Sequence, residues 1–584
     1  MTELLTRPML APHLNPVAMG VAHRHLVTKA LSEFAHERLL APAADPAGYR
    51  VTLGDVVYRF RARRLALEHW AIDEQSVTRT VDGVDAPLDA LALVLELQPL
   101  LQIPDALLAV YLEELSSTLA SAAFKAYHGG PSSIDLLHAD LPTIERAMTE
   151  GHPSFVANNG RIGFGVSEHA TYSPEAGTPI RPLWLGVRKA SSHLALGTGL
   201  DEDAFYLDEL GPRTLDRFEA VLRAEGADPA DYRYLPVHPW QWEHRVAVTF
   251  APDVARRDLV PLGHGDDEYV AQQSIRTLFN VTRPGRHYVK VALAIQNMGF
   301  LRGLSPAYMR DSPAINDWVF DLVGVDPTLA ECGFEVLRER VSIGYTGDVY
   351  HRTPASNPHR KMLAALWRES PVPLVGPTEQ LATMAALLHR DADGHAFVTA
   401  CVRASGLTPQ DWVRRYLRAY LRPLVHCLLV HELAFMPHGE NLILVLDGHA
   451  PARVFMKDIG EEVAVLGDRP LPESVSRVRH PVDADEQALA IFTDVFDGVF
   501  RHLAAVLDTD GVLPQDAFWA LVRECVDQHA ADHPGLETGV DLRAERFAHS
   551  CLNRLQLRNT LQMVDLTDQS SSLIYAGTLA NPIA

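Results

Sequence analysis

The sequence predicts an α+β fold in three regions, and three observations carry that prediction. Helical periodicity marks the N-terminal part: His25 to Leu40 puts Val27, Leu31, Phe34 and Leu39 on one face, and residues 105–127 carry a Leu108, Leu112, Leu115, Leu119 stripe. The texture changes at Gly151, and residues 151–350 are rich in short strands, prolines and polar clusters. A proline-rich stretch with Pro354, Pro358, Pro371, Pro373 and Pro377 then marks a boundary, beyond which helical patterning returns. With 584 residues the chain exceeds one ordinary core. The expected regions are 1–150, mostly helical; 151–350, strand-rich and phosphate-binding; and 351–584, helical with one hairpin.

Single elements follow in order. "YRVTLGDVVYRFRARR" reads as a hairpin turning at Gly54-Asp55, with Tyr58, Phe60 and Ala62 alternating. "YVKVALAI" reads as a strand with Lys290 among apolar neighbours, and residues 409–433 as a helix interrupted by Pro423. "HGENLILVLDGHAPARVFMKDIGEE", from His438 to Glu462, reads as two short apolar strands joined at Asp447-Gly448, with polar residues at both outer ends.

Composition narrows the function. Apolar residues make up 47% and charged residues 22%, as in a soluble globular enzyme. A formal charge of −22 repels nucleic acid and anionic membranes, so an anionic substrate needs a local basic pocket. No stretch approaches eighteen apolar residues free of charge, and no spanning helix is expected. "MTELLTRPMLAPHLNP" lacks the basic start and apolar run of a secretion signal. The five cysteines, Cys332, Cys401, Cys427, Cys525 and Cys551, form no CxxC pair; a reducing cytoplasm is expected, without a zinc site or a disulfide framework.

Two constellations carry chemistry. Ser274, Arg276, Thr277, Lys290 and Arg302 fall in one short window. A triphosphate needs fixed cations with small hydroxyl donors beside them, and this window supplies both. A solvated strand face explains any one of these cations, but less well their convergence. In the hairpin, His438, Asn441 and Asp458 resemble the metal end of a kinase site, where an Asn and an Asp hold magnesium on phosphates, with Gly460 letting the backbone turn. A surface hairpin with polar ends is the plainer alternative. HRD, DFG and GxGxxG are absent, which weighs against a protein kinase. "GHPSFVANNGRIGFG" places His152, Asn158, Asn159 and Arg161 in a Gly-rich loop before an apolar strand, and "YLPVHPWQWEH" places His238 and Gln241 beside two tryptophans. By composition both are structured turns.

Together, "GHPSFVANNGRIGF", "HPWQW", "SIRT", "KVALAIQNMGFLRG", "HGEN", "KDIG" and "LQLRNTLQM", with "LVTKALSEFAHERL" before them, occur in the order found in the NRPS-independent siderophore synthetases. The chain resembles that aerobactin-synthetase-like (IucA/IucC) family. The resemblance implies a cupped-hand architecture, with residues 1–150 as thumb, 151–350 as fingers and 351–584 as palm holding a distant kinase-like nucleotide site, in a homodimer. It implies ATP and Mg2+, activation of a carboxylate as acyl-adenylate, and attack by an amine or hydroxyl. Carried over by motif, Ser274, Arg276, Thr277, Lys290, Arg302, His438, Asn441 and Asp458 hold ATP, with Asn441 and Asp458 on the metal. Arg302, His438 and Lys290 are the expected catalytic residues, and His152, Asn158, Arg302, His438 and Arg558 the expected substrate contacts.

The departures refine the substrate. Citrate-using members carry "GHPxHPxxKxRxGF", where this chain has Phe155 and the neutral Asn158-Asn159-Gly160, which suits an acceptor less charged than citrate. Arg558 replaces a lysine, Ile275 replaces a hydroxyl residue, and Met436 replaces an acid two residues before His438. The pattern looks most like type C members of the desferrioxamine kind, which join N-hydroxy-N-succinyl-diamine units through carboxylate and amine into oligomers or macrocycles. A bisucaberin- or alcaligin-type dimer-former stands nearby, a citrate-monoamide synthetase of aerobactin type further off, and a kinase-like phosphotransferase furthest.

Overall fold

The computed structural model describes residues 11–558 and 574–584. The first ten residues, and residues 559–563 of the "LQLRNTLQM" motif, lie outside the described residues.

The N-terminal helix Pro16–His36 starts at Asn15, whose side chain accepts the N–H groups of Val17 and Ala18, with Pro16 in the first turn. It packs on the helix Asp105–His128, and Val27, Leu31 and Phe34 share one core with Leu115 and Leu119. Between these helices, which dominate the region, the chain forms a five-stranded antiparallel sheet over residues 43–86. The expected hairpin is its centre: Leu53 pairs with Val56 across Gly54-Asp55, and Gly54 takes φ 60°. Against expectation, Asp105–His128 is long and apolar enough to cross a membrane by length and composition. In this fold it is a core helix, and it buries Glu114, whose carboxylate accepts the Gly299 N–H.

The middle of the chain builds a three-stranded sheet (Tyr232–Val237, Leu183–Arg188, Leu259–His264) and a six-stranded antiparallel one. The six strands run in the order Tyr269–Ala271, Thr277–Asn280, Tyr288–Val291, Ala364–Arg368, Glu339–Tyr345, Ser192–Leu196. Leu278, Val289, Val291, Ala365 and Trp367 enter the apolar core. The alternate residues Thr277, Tyr288, Lys290 and Arg368 therefore share the opposite face, Thr277 beside Lys290 and Tyr288 beside Arg368. Period-two alternation thus puts polar side chains on one face of buried central strands.

Two sheets straddle residue 350. Ala364–Arg368 joins the six-stranded sheet from beyond that point. Phe334–Val336 joins, from before it, the four-stranded sheet of Ala450–Met456, Leu442–Asp447 and Glu379–Thr383. The proline-rich stretch is therefore a crossing path with short 3-10 turns at Val349–Arg352, Pro358–Lys361 and Val372–Leu374, and not a linker. The later helix breaks at Tyr420, into Pro409–Ala419 and Leu421–His431, ahead of Pro423. A proline ring excludes the carbonyl four residues earlier, here that of Ala419, so the break precedes the proline. The C-terminal hairpin turns at Gly448-His449, one residue later than expected: both take positive φ (54° and 65°), as a type I′ turn requires, and Asp447 pairs with Ala450.

Candidate active site

Lys290, on the polar face of the six-stranded sheet, meets the segment that follows the hairpin. Its Nζ donates to Asp458 Oδ1 at 3.2 Å and to Glu461 Oε2 at 3.0 Å. Arg368 Nη1 donates to the same Asp458 oxygen at 2.7 Å, and its guanidinium lies 4.9 Å from the centre of the Tyr288 ring. Arg276 reaches Glu461 at 3.7 Å and donates to the Gly303 carbonyl. Burial opposes the ammonium of Lys290, but Asp458 and Glu461 outweigh it and raise its pKa to about 12. Burial likewise opposes the Asp458 carboxylate, while Lys290, Arg368 and Lys457 hold its pKa well below the usual range. These groups are charged at neutral pH. Buried ion pairs contribute little net stability, so a concentration of them points to a role other than holding the fold.

Three bulky residues in left-handed backbone lie beside the charged side chains: Ile275 (φ 57°), Met298 (φ 52°) and Asp458 (φ 61°). A β-branched residue there is a true outlier, and such strain persists where packing over-determines it. Ile275 is fully buried in the apolar core, which anchors the turn and sends its neighbours Ser274 and Arg276 away from that core. Met298 and Gly299 turn the tight hairpin of Gln296-Asn297 with Phe300-Leu301.

That hairpin places Arg302. Arg302 Nη2 donates to Asn297 Oδ1 at 2.7 Å, and Asn297 Nδ2 donates to the Gly160 carbonyl at 2.8 Å. Gly160 lies so near the backbone of Glu114 that a Cβ would come within 2.7 Å of its carbonyl oxygen. The loop 151–165, the helix Asp105–His128 and the Arg302 hairpin are thus one unit. Burial, and then Arg276, lower the Arg302 pKa to about 10. Among the described residues, Ser274 Oγ, Arg276 Nε, Arg302 Nε and Arg368 Nε and Nη2 are buried polar atoms without hydrogen-bond partners. Such orphans are rare, and five donor atoms of this kind beside fixed cations match a polyanion.

On the other side stand His438 and Asn441. Asn441 Nδ2 donates to the Met436 carbonyl at 2.9 Å and to Glu462, which leaves Oδ1 as its acceptor. Met436 therefore contributes through its backbone, and Glu462 supplies a carboxylate beside Asn441. Burial first, then the Asp458 charge, raise the Glu462 pKa to about 7. Burial lowers the pKa of His438, and its Nδ1 has no partner among the described residues. Its ring lies 5.9 Å from that of His152. Both histidines and Glu440 line a cleft together with Met384, Leu387, Leu388, Tyr416, Val499 and Leu503.

The structure gathers Ser274, Arg276, Thr277, Lys290, Arg302 and Asp458 around the sheet face and adjoining loops, His438 and His152 at the cleft, and Asn441 beside Glu462. Asn158 turns its amide to Glu150 and to the His152 carbonyl, and so braces the loop. Arg558 is exposed at the end of the helix Leu552–Leu557 and joins none of these bonds. The loop 151–165 leads through a single bridge, Ile162 with Gln296, into the helix Val166–Tyr172, and not into an apolar strand. His238 caps its helix through Trp240 N–H, and Gln241 ties Ala294 to Met362, so both are the structured turns that composition suggests.

Sequence reasoning missed Glu461, Glu462, Arg368 and Glu339. The two glutamates directly follow "KDIG", which was a usable signal; Arg368 at the end of "AALWR" and Glu339 gave none. Gly460 is also corrected. It is Asp458 that makes the left-handed turn, and Gly460 is needed because a Cβ would strike Glu339 and Ser312. Gly460→Ala is expected to cost about 1–3 kcal/mol through overpacking and to displace Glu461 from Lys290; urea unfolding measures the first effect and nucleotide binding the second.

An α+β fold that buries cations and carboxylates around orphaned donors is suited to hold a polyanionic ligand. Residues 140–389 match the IucA / IucC family model, and residues 410–565 match a model described as ferric iron reductase FhuF-like transporter. Putrebactin synthase of Shewanella sp. (strain MR-4) is 44% identical, over 100% of this chain and 94% of its own length. Among solved structures, aerobactin synthetase IucC from a hypervirulent pathotype of Klebsiella pneumoniae is 27% identical with TM-score 0.85, over 97% of this chain and 99% of that one. ATP-bound aerobactin synthetase IucA from the same source shares the fold at 17% identity and TM-score 0.71, over 96% and 99%. The chain belongs to the IucA/IucC family of siderophore synthetases.

Proposed function

We propose that this chain is an ATP- and Mg2+-dependent ligase that adenylates the carboxylate of a hydroxamate monomer, of N-hydroxy-N-succinyl-diamine type. It then joins that carboxylate to the amine of another monomer, giving amide-linked oligomers or macrocycles. The observation that carries this reading is the set of buried donors without partners on Ser274, Arg276, Arg302 and Arg368, gathered around the ion-paired Lys290. A carboxylate approaching a phosphate brings two anions together, and fixed cations make that tolerable. ATP-bound IucA shares the fold, which supports a nucleotide here. The similarity to putrebactin synthase supports a hydroxamate monomer as substrate.

In this reading Ser274, Thr277, Arg276, Lys290, Arg302 and Arg368 hold the phosphates. Asn441, Asp458 and Glu462 offer the hard oxygens that Mg2+ takes, and the ion neutralises phosphate charge when bound. Arg302 and His438 grip the carboxylate. His438, whose protonation burial opposes, lines the cleft with an unpartnered Nδ1 and serves as proton acceptor. The apolar side chains of Met384, Leu387, Leu388 and Val499 in the cleft lining suit the methylene chain of a diamine, and Glu440 in the same lining suits its ammonium.

The test is product stoichiometry. AMP and pyrophosphate are expected in equal amounts, and only when a succinyl-hydroxamate carboxylate is present. Release of ADP with a phosphorylated product would instead support a phosphotransferase.

A further inference from the structure

A second cluster of ligand-type side chains lies in the C-terminal helical core. His426 stands on the helix Leu421–His431, and His529 and His533 are one turn apart at the end of Gln515–Asp532. One ring nitrogen from each of the three lies within 4.8 Å of the others. His426 and His529 are almost fully buried, and His533 is half-buried and gives access from solvent.

The hydrogen bonds fix the tautomer of His426. Its Nε2 lies 3.0 Å from Asp326 Oδ2, which as a carboxylate only accepts, so Nε2 carries the proton. Its Nδ1 therefore presents a lone pair, and it faces His529 Nε2 at 3.1 Å. Two imidazole nitrogens on one zinc ion, each at about 2.0–2.1 Å, stand roughly 3.3 Å apart in tetrahedral geometry, close to that spacing. His529 Nδ1 and His533 Nε2 are buried without partners among the described residues. A carboxylate behind a histidine whose other nitrogen is free is the usual outer support of a metal-bound imidazole.

The surroundings agree. His431 is already engaged, through Nε2 to Asp326 at 2.9 Å and Nδ1 to Arg469 at 3.0 Å, and it braces the carboxylate. The nearby Arg422 is neutralised by Asp532 at 2.5 Å.

We propose that His426, His529 and His533 form a binding site for one divalent transition metal of the zinc class, with Asp326 orienting His426. Imidazole donors suit zinc, nickel and copper and do not suit magnesium, which separates this site from the phosphate cluster. Its three ligands come from two helices, so a bound ion clasps them together.

The experiment titrates Zn2+ into the chelator-treated full-length protein against a chromophoric competitor, with Co2+ as the optical probe. One equivalent is expected, with visible Co2+ absorption of a nitrogen-ligated, low-coordinate ion. His533→Ala, at a half-buried position, keeps the fold and is expected to weaken that equivalent by about 10–100-fold; His529→Ala is expected to abolish it. His395→Ala, in the exposed Asp391, Asp393, His395 group, is the control and is expected to leave the equivalent intact. No bound equivalent in the parent, or unchanged affinity in His533→Ala, overturns the proposal.

Discussion

Asp458→Asn is expected to lower formation of AMP and pyrophosphate by about 10²–10³-fold, the loss typical when one fixed electrostatic group leaves a buried reaction site. The substitution is chosen for its geometry. Asp458 sits in left-handed backbone, a conformation that asparagine tolerates as well as aspartate does. The amide oxygen can still accept from Lys290 and Arg368, so the turn into "IGEE" survives. What is lost is the charge. Lys290 and Arg368 then share a neutral acceptor, and the Asn441 side of the site loses one anionic oxygen donor for the metal. Single-turnover pyrophosphate release measures the effect, with circular dichroism to verify folding. A rate within threefold of the parent would remove Asp458 from the reaction. Asp458→Ala separates the two roles further: it also deletes the acceptor, leaving Arg368 without its carboxylate and Lys290 with Glu461 alone, so its loss of stability should exceed that of the Asn variant.

The site was legible where its chemistry clusters along the chain, and illegible where only folding brings it together. Ser274, Arg276, Thr277, Lys290 and Arg302 announce themselves because cations and hydroxyls crowd a strand and its flanking turns. Their face could also be inferred, since strand alternation sets Lys290 apart from Val289 and Val291. Their partners could not. Glu461 stands 171 residues from Lys290, and Arg368 stands 90 residues from Asp458. No local pattern pairs a carboxylate with a cation over such distances, and Arg368 in its own strand looks like an ordinary polar strand end. The fold shows the same division. The Gly54-Asp55 hairpin was readable from its turn chemistry, while the other strands of that sheet, such as Ala43–Asp45 and Val84–Ala86, are too short to show alternation. The sheets that straddle residue 350 were hidden for a related reason: proline density signals a break in secondary structure, and does not tell a linker from a path crossing between two sheets.

Arg501→Met is expected to destabilise the folded chain by about 3–5 kcal/mol, the usual result of removing one partner from a buried charge network. Arg501 is 2% exposed and grips both oxygens of Glu33 on the N-terminal helix, at 3.0 and 2.7 Å. It also donates to Ser154 Oγ at 3.2 Å, meets His69 Nδ1 at 3.0 Å, and pairs with Asp497 at 2.9 Å. Asp497 in turn meets His36 at 3.1 Å, and His36 meets His549 at 3.2 Å. One guanidinium therefore ties the first helix, the loop that carries His152, and the C-terminal helices into a single body. Methionine has similar volume and no charge, so the cost arises from what it strands: the Glu33 carboxylate stays buried without its cation. The double variant Arg501→Met with Glu33→Gln should recover a large part of the loss, because the stranded charge is gone. The first transition in urea unfolding reports both. A second readout separates the network from mere packing. Ser154 lies two residues from His152, so Arg501→Met should also weaken carboxylate turnover under conditions where the protein remains folded, and restoring Glu33 neutrality should recover stability without fully restoring that turnover. If the single variant unfolds like the parent, the network is incidental to the fold. If the double variant recovers both quantities together, the loop takes its position from packing and not from the Arg501 hydrogen bond.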